Sequence, residues 1–486
     1  MQKTQHFDVL VIGAGISGIG AGYRLQTSCK DKTYAILEGR EALGGTWDLF
    51  RYPGIRSDSD MFTLGYPFKP WRGDKAIADG ADILQYVRDT AREFGIDRHI
   101  RFKHQVRGAA WSSQDNQWTL QVACGETQEL QTFTCGFLYL CSGYYSYEGG
   151  HDPQFPGLDQ FTGQVVHPQH WPKDLDYTGK RVVVVGSGAT AVTLVPSMAD
   201  RAAHVTMLQR SPSYIVSIPA KDIVSDWFRK LLPAQLAHQM AQWKSVFLQT
   251  AIYQFAQRCP GMARKVLTWG VARDLPKDYP VDVHFNPKYN PWDQRLCMVP
   301  NGDLFNSIRS GKASIVTDHI KGFSGNSVQL ASGAAMEADI LISATGLKLK
   351  ICGGIQLNVD GRMVNPADSY VYRGAMLSGV PNLAMCLGYT NASWTLRADL
   401  SSRFVCRLIN HMAHHSYAKC VPSPDHNMAP KPLLEMSSGY VQRAAEVLPK
   451  QGSQSPWYLR QNYILDRLSM AFSRIDDRGM VFTKAA

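Results

Sequence analysis

Two glycine-rich turns carry the clearest chemical signal in this chain. The first, Gly13-Ala14-Gly15-Ile16-Ser17-Gly18, follows an apolar, β-branched run at 7–12 (FDVLVI) and opens into IGAGYRLQ. A buried parallel strand entering a helix through such a turn can hold a pyrophosphate. Gly13 permits the tight turn, Gly15 lets the backbone approach the phosphates, and Gly18 allows close helix–strand packing. The free N–H groups and positive dipole end of the helix then face the negative charge. A second strand at 33–37 ends on Glu38, where a carboxylate can accept hydrogen bonds from a ribose. An acid at this place rejects a 2′-phosphate, so the first site suits FAD or NAD rather than NADP.

The second turn has the opposite charge. Residues 181–185 (RVVVV) predict another buried strand, which enters Gly186-Ser187-Gly188-Ala189-Thr190-Ala191, with alanine in the third glycine's place. Pro196 falls within the helix that follows and should kink or shorten it. The next strand, 204–208, ends in Gln209-Arg210-Ser211 and not in an acid. A guanidinium can grip a 2′-phosphate with two hydrogen bonds and a serine hydroxyl can add another, so Arg210 and Ser211 favour NADP(H). Two dinucleotide sites of opposite ribose chemistry imply electron flow between nucleotides, with FAD retained and NADPH delivering hydride to it.

The elements around these turns predict an α/β chain: two Rossmann-like dinucleotide-binding domains, for FAD and NADPH, with a helical insertion. At 486 residues the chain exceeds one ordinary core. The runs GFLYLCSG (136–143) and ADILISATG (338–346) each read as a strand returning to a sheet, and they bracket the second turn. The NADPH domain is therefore expected inside the FAD domain. The FAD-binding parts are 1–145 and 339–486. The linker and first NADPH-binding part is 146–213, the helical insertion 214–288, and the second NADPH-binding part 289–338. Within the insertion, WFRKLLPAQLAHQMAQWKSVFLQTAIYQFAQ has apolar residues at helical spacing, which fits a packed helical unit. An amphipathic face for a membrane or a partner is the second reading.

Composition narrows the class of protein. With 44% hydrophobic and 19% charged residues the chain is globular in type. The 51 Lys and Arg exceed the 41 Asp and Glu, which would suit anionic partners. They are scattered, with no basic run of five, so no nucleic-acid partner is expected. The ten cysteines form no CxxC pair and no Cys/His spacing suited to zinc, which predicts reduced, mostly buried thiols and no metal site. With no targeting segment at the start and no apolar stretch of about 18 residues, a cytoplasmic protein is expected, its membrane contact at most peripheral.

Between the two turns lies FTGQVVHPQHWP at 161–172. The pattern FxGxxxHxxxWP, with Phe161, Gly163, His167, Trp171 and Pro172 at its fixed positions, resembles the fingerprint of the Baeyer–Villiger flavin monooxygenases. His167 reads as a positioning residue of an interdomain linker and not as a proton donor. The resemblance covers nearly the whole chain. Gly44-Gly45-Thr46-Trp47 and RYPGIRSD at 51–58, which contains Arg56 and Asp58, resemble the family's flavin-contacting segment. NPWDQRLCMVPNGDLF (290–305) and GYTNASWTLRADL (388–400) resemble one branch, the monooxygenases that activate the thioamide prodrug ethionamide. The resemblance implies that Arg295 is the active-site arginine and that Asp58 orients it beside the flavin. Trp47 and Trp394 are expected to wall the flavin or substrate.

The resemblance also implies a reaction. NADPH reduces FAD, O2 adds at flavin C4a, and the resulting peroxide attacks a ketone carbonyl to give an ester or lactone. A guanidinium suits this chemistry because it stabilises an anion without being an acid of useful strength. The expected partners are O2 and a small ketone or thioether, with sulfoxidation as a side activity; oligomeric state is not readable. Three alternatives stay open. A heteroatom oxygenase shares the cofactors, but the N- and S-oxidising relatives carry Tyr and a basic residue where Trp171-Pro172 stands. A disulfide reductase needs a dithiol that the cysteine spacing does not supply. A non-catalytic flavoprotein would bind FAD without substrate-dependent turnover.

Overall fold

In the computed structural model, which describes residues 4–425 and 428–484, two sheets organise the chain. β1 (Gln5–Ile12) is apolar and buried over its last four residues, as a strand covered on both faces requires. It leads into α1 (Ile16–Ser28), and β2 (Tyr34–Leu37) returns parallel to β1, with Ile12 opposite Leu37. The short helices α2 (Thr46–Leu49) and α3 (Met61–Leu64) and the longer α4 (Gly80–Glu93) precede β3 (Ile100–Arg101), which pairs with β2. β4 (His104–Ser112), β5 (Gln117–Cys124) and β6 (Glu129–Leu140) form an antiparallel ribbon, and β6 lies parallel to β1.

The second sheet is parallel throughout and starts at β7 (Gln164–Val166). β8 (Arg181–Val185), α5 (Ala189–Met198) and β9 (His204–Gln209) form a βαβ unit, in which α5 runs through Pro196 and stops two residues later. The stretch after 214 does not begin as helix: β10 (Ile215–Ile218) is β-branched and pairs with β11 (Cys297–Pro300). Between these two strands stand α6 (Ile223–Leu231), α7 (Ala234–Arg258), α8 (Pro260–Asp274) and α9 (Val281–His284). α10 (Asp303–Arg309) leads to β12 (Ala313–Thr317), which pairs with β9. A meander of β13 (Ile320–Ser324), β14 (Ser327–Leu330) and β15 (Ala335–Glu337) precedes β16 (Ile340–Ser343). The sheet order is β12-β9-β8-β16-β7.

The chain then rejoins the first sheet. β17 (Gln356–Val359) pairs with β4, β18 (Arg362–Met363) extends that edge, and Leu383–Met385 pairs with β6. α11 (Trp394–His414) packs along α1, and α12 (Gly439–Arg443) and α13 (Tyr463–Phe472) follow. Strands of the second sheet all come from 164–343; those of the first come from either side of that span. Separate apolar cores form under each sheet, with Val405 and Leu408 of α11 buried in one and Val184 and Leu194 in the other. Each such side chain contributes about 1.5–3 kcal/mol when removed from water. No helix among the described residues is long and apolar enough to cross a membrane.

Candidate active site

The first turn is closed by sterics. Gly13 has φ +101°, and a Cβ there would stand 2.8 Å from the Cys141 carbonyl oxygen. At Gly18 a Cβ would come within 1.8 Å of the Gly13 carbonyl oxygen, so the turn excludes any side chain at that position. Gly15 is the N-cap of α1 and no side chain caps the helix, which leaves its first N–H groups available to an anion. Gly45, at φ +57°, approaches from the other side: a Cβ on Gly15 would lie 3.6 Å from its Cα. Glu38 is buried at the end of β2, where Oε2 accepts from the Ala14 N–H at 2.7 Å and Oε1 from the Arg40 N–H at 2.9 Å. Burial pushes the Glu38 pKa up, against the pull of those two N–H groups.

The second turn is more open. Gly186 has φ +141°, and a Cβ there would be 2.4 Å from the Ala344 carbonyl oxygen. At Gly188, the uncapped N-cap of α5, a Cβ would meet nothing within 4 Å. Ala191 is fully buried. The Ser187 hydroxyl donates to the Ser211 carbonyl at 3.0 Å and lies 2.9 Å from Ser213 Oγ. Arg210 is exposed at the end of β9 and has no hydrogen-bond or ion-pair partner among the described residues. Arg443 of α12 lies near it: burial and the Arg210 charge hold its pKa below the usual arginine value.

Arg295 and Asp58 meet between the turns. Arg295 Nη1 donates to Asp58 Oδ2 at 2.9 Å, and about a third of the arginine side chain (35%) faces the cleft. Its Nε is buried without a partner. Burial works against the charge, but Tyr144, Asp58, Tyr145 and Tyr440 outweigh it, and the pKa lies well above the ordinary arginine value. Arg56 is engaged elsewhere: its guanidinium pairs with Asp303 of α10 at 2.5 Å, tying segment 51–58 to the second sheet's helices. Trp394, the first residue of α11, donates from Nε1 to Ser17 Oγ at 2.7 Å and stacks on Tyr144 with ring centroids 5.0 Å apart.

These groups line one cavity of about 610 Å³. Gly13, Gly15, Glu38, Thr46 and Trp47 line it from the first turn and its neighbouring segments, Ala189 and Thr190 of α5 line it from the second, and Asp58, Arg295 and Trp394 line it as well. Arg56 also lines it, whereas Gly186, Ser187, Gly188, Arg210 and Ser211 do not. None of the five fixed linker residues lines it either. Phe161 is buried against Phe323, with ring centroids 5.6 Å apart, and a Cβ on Gly163 would be 2.6 Å from the Asp339 carbonyl oxygen. His167 caps the turn 168–170, its Nδ1 accepting from the Gln169 N–H at 3.2 Å, while Trp171 packs on the second core and Pro172 follows it.

Sequence reasoning missed Tyr144, Tyr145, Tyr440 and Arg443. The run YYSY at 144–147, directly after the turn that follows β6, was a readable signal for the first two. Tyr440 and Arg443 sit on α12, far along the chain, in a segment with no motif of its own.

The cavity suits a flavin dinucleotide on its own geometry. It joins an uncapped helix N-terminus, a cradle without Cβ atoms, a buried carboxylate and an aromatic wall, and it holds a guanidinium with an orphaned Nε. The NAD(P)-binding Rossmann-like domain profile matches residues 11–72, and the flavin-binding monooxygenase-like profile matches residues 66–352. The FAD-containing monooxygenase EthA of Mycobacterium tuberculosis (strain ATCC 25618 / H37Rv) is 53% identical over 483 residues, which are 99% of this chain and 98% of that protein. In fold, the chain resembles an oxidized steroid monooxygenase bound to NADP, with TM-score 0.76 at 22% identity over 99% of this chain and 100% of the other. Cyclohexanone monooxygenase from Rhodococcus sp. Phi1 bound to NADP+ matches equally well, with TM-score 0.76 at 19% identity and the same coverage. Two glycine-rich turns in this order, a profile match across more than half the chain and a full-length relative above half identity lead to one assignment: the chain belongs to the flavin-binding monooxygenase-like family.

Proposed function

We propose that this enzyme is a Baeyer–Villiger monooxygenase: a ketone, O2, NADPH and a proton give an ester or lactone, NADP+ and water. The observation that carries the reading is the Arg295–Asp58 pair in the cleft between the two turns. Gly13, Gly15, Gly18 and Glu38, with Thr46, Trp47 and Arg56 nearby, would hold FAD. Gly186, Ser187, Gly188, Ala189 and Thr190 would hold the NADPH pyrophosphate, and Arg210 and Ser211 its 2′-phosphate. When bound and reduced by NADPH, the flavin would supply the activated dioxygen.

The protein's own part is electrostatic. As the ketone carbon becomes tetrahedral its oxygen gains negative charge, and the unpartnered Arg295 Nε is a donor for an oxygen placed there. Arg295 keeps its proton throughout, because its surroundings stabilise the charged form. Asp58 positions it through the 2.9 Å bond to Nη1. The stacked Trp394 and Tyr144 keep water from that end of the cleft. His167 holds the linker turn and exchanges no proton with substrate.

Sulfur oxidation is a side activity under this reading, as the resemblance of residues 290–305 and 388–400 to the thioamide-activating branch implies. The test is a product analysis: supply NADPH, O2 and a panel of ketones and thioethers. Esters or lactones support the proposal; sulfoxides alone assign the enzyme to heteroatom oxygenation. Arg295→Ala is expected to leave NADPH-driven flavin bleaching intact while lowering ester formation about 10²–10³-fold, the scale of losing one oxyanion donor. Full ester formation in that variant removes Arg295 from the site.

A further inference from the structure

The helices inserted between β10 and β11 carry their large apolar residues on the outside. On α6, Ile223, Trp227 and Leu231 recur at i, i+4 and i+8, with Ile223 83% exposed. α7 reverses the usual packing of an amphipathic helix: Ala237, Ala241 and Ser245 face inward, while Met240, Phe247, Leu248 and Ile252 are exposed. Its inner face is held by polar bonds instead, with Gln242 Nε2 donating to the Phe62 carbonyl at 3.1 Å and His238 Nε2 lying 3.1 Å from the Tyr66 carbonyl oxygen. On α8 the exposed stripe is Met262, Val266 and Trp269. α13 adds Leu465, Leu468 and Phe472, the last 82% exposed.

These stripes are neighbours. α6 and α8 both contact α7, and Trp243 of α7 meets Tyr463 of α13, with ring centroids 6.1 Å apart. Among the described residues, thirteen of the twenty-three exposed large hydrophobics fall on α6–α8. Scattered apolar residues on a surface need no explanation, but a concentration on adjoining helices does.

Charge says what covers this face. Residues 221–288 hold ten Lys and Arg, five Asp and no Glu, a net +5 that is half of the chain's +10. Asp222 and Asp226 are already bonded to Lys244 and Arg229 within the insertion. Lys230, Arg258 and Lys265 are exposed and have no ion-pair partner among the described residues. A two-fold contact between copies would set this positive surface against itself. An anionic lipid surface has the complementary charge, admits apolar stripes, and favours indoles such as Trp227 and Trp269 at its boundary.

We propose that the outer face of α6, α7, α8 and α13 is a docking surface for an anionic lipid bilayer. The proposal does not depend on which substrate class the enzyme oxidises. It does place α7 and α13 between the lipid and the cleft: a small cavity lined by Val246, Tyr253 and Tyr463 also touches Ala392, which lines the main cavity.

The test uses the full-length, FAD-loaded enzyme and flotation with two kinds of vesicle. The enzyme is expected to float with vesicles of phosphatidylcholine mixed with phosphatidylglycerol, less with phosphatidylcholine alone, and less as salt rises. Replacing both Trp227→Ser and Trp269→Ser should lower binding to the mixed vesicles about tenfold or more. Lys230→Glu with Lys265→Glu should lower it by a similar factor, since each lost cation costs about fivefold near such a surface. Both variants should keep their flavin and NADPH-driven bleaching, which shows that they are folded. The proposal is overturned if the parent enzyme ignores phosphatidylglycerol vesicles at low salt, or if neither variant binds them more weakly. It is also overturned if sedimentation velocity finds a dimer that the tryptophan variant dissolves, which would make the face a contact between copies.

Discussion

The two nucleotide turns share a plan and differ in how much of each site is finished before anything binds. In the first, Glu38 is buried and both carboxylate oxygens are bonded to backbone N–H groups, so the acid is fixed in place. In the second, Arg210 stands exposed and unpaired at the matching strand end. Gly18 excludes a Cβ by a contact of 1.8 Å, whereas the second turn carries a methyl at Ala191. A preorganised site costs little ordering on binding and suits a retained cofactor, while an open, electrostatic one suits a cofactor that exchanges.

The sharpest way to break that contrast is to swap the third residues. Gly18→Ala is expected to destabilise the chain by more than about 4 kcal/mol and abolish FAD retention, because the carbonyl it strikes is backbone and cannot turn away. Ala191→Gly should cost only about 1 kcal/mol, the propensity penalty of glycine in a helix. The ratio of flavin to protein absorbance and the melting temperature read both. A Gly18→Ala protein that stays yellow and melts normally would show the two turns to be sterically alike.

The ribose ends come next in size. Arg210→Ala should raise the KM for NADPH about 10–100-fold and leave that for NADH nearly unchanged, since hydrogen bonds to charged groups contribute about 1.5–3 kcal/mol. Equal loss for both nucleotides would detach Arg210 from a 2′-phosphate. Glu38→Gln should weaken FAD about tenfold and leave the nucleotide preference alone, because one backbone N–H would then face an amide NH2 in place of an oxygen. Flavin release measured by ultrafiltration checks it.

Legibility in the sequence follows the range of the interaction. Both turns, their strands and the charge at each strand end are local, so period, glycine spacing and one residue type suffice to find them. Asp58 and Arg295 lie 237 residues apart, and only the likeness of whole segments to a known family brought them together. Arg56 shows the limit of that likeness: its partner Asp303 is set by packing of the two sheets' helices, which no spacing reveals. The outward stripes of α7 were legible only as a second reading, since apolar residues at helical spacing read the same whether they face a core or a solvent. Likewise β10 was hidden at the start of a stretch read as helix because its partner, β11, comes only after the whole insertion.

The smallest effect concerns what joins the two turns. His167 sits in the linker, and its ring occupies the space a Cβ on Gly150 would take. Burial lowers its pKa, helped by His170 and His151 and opposed by Asp152 and the Gly346 backbone. With the folded value below the unfolded one, the unfolded chain binds more protons at acid pH. Stability should therefore fall as pH drops below about 6.5, the ordinary histidine value, and level off once the folded pKa is passed. His167→Asn keeps an N-cap acceptor for the Gln169 N–H and removes the titration. The stability of this variant, followed through its melting temperature, should fall less steeply than the parent's between neutral pH and pH of about 5, by at most about 1.4 kcal/mol of unfolding free energy per pH unit. His238 and His284 are also held low by burial and will keep part of the slope. Parallel melting curves for the two proteins would mean that the linker imidazole gains its proton as easily in the folded chain as in the unfolded one, and that the join between the two turns is looser than its packing implies.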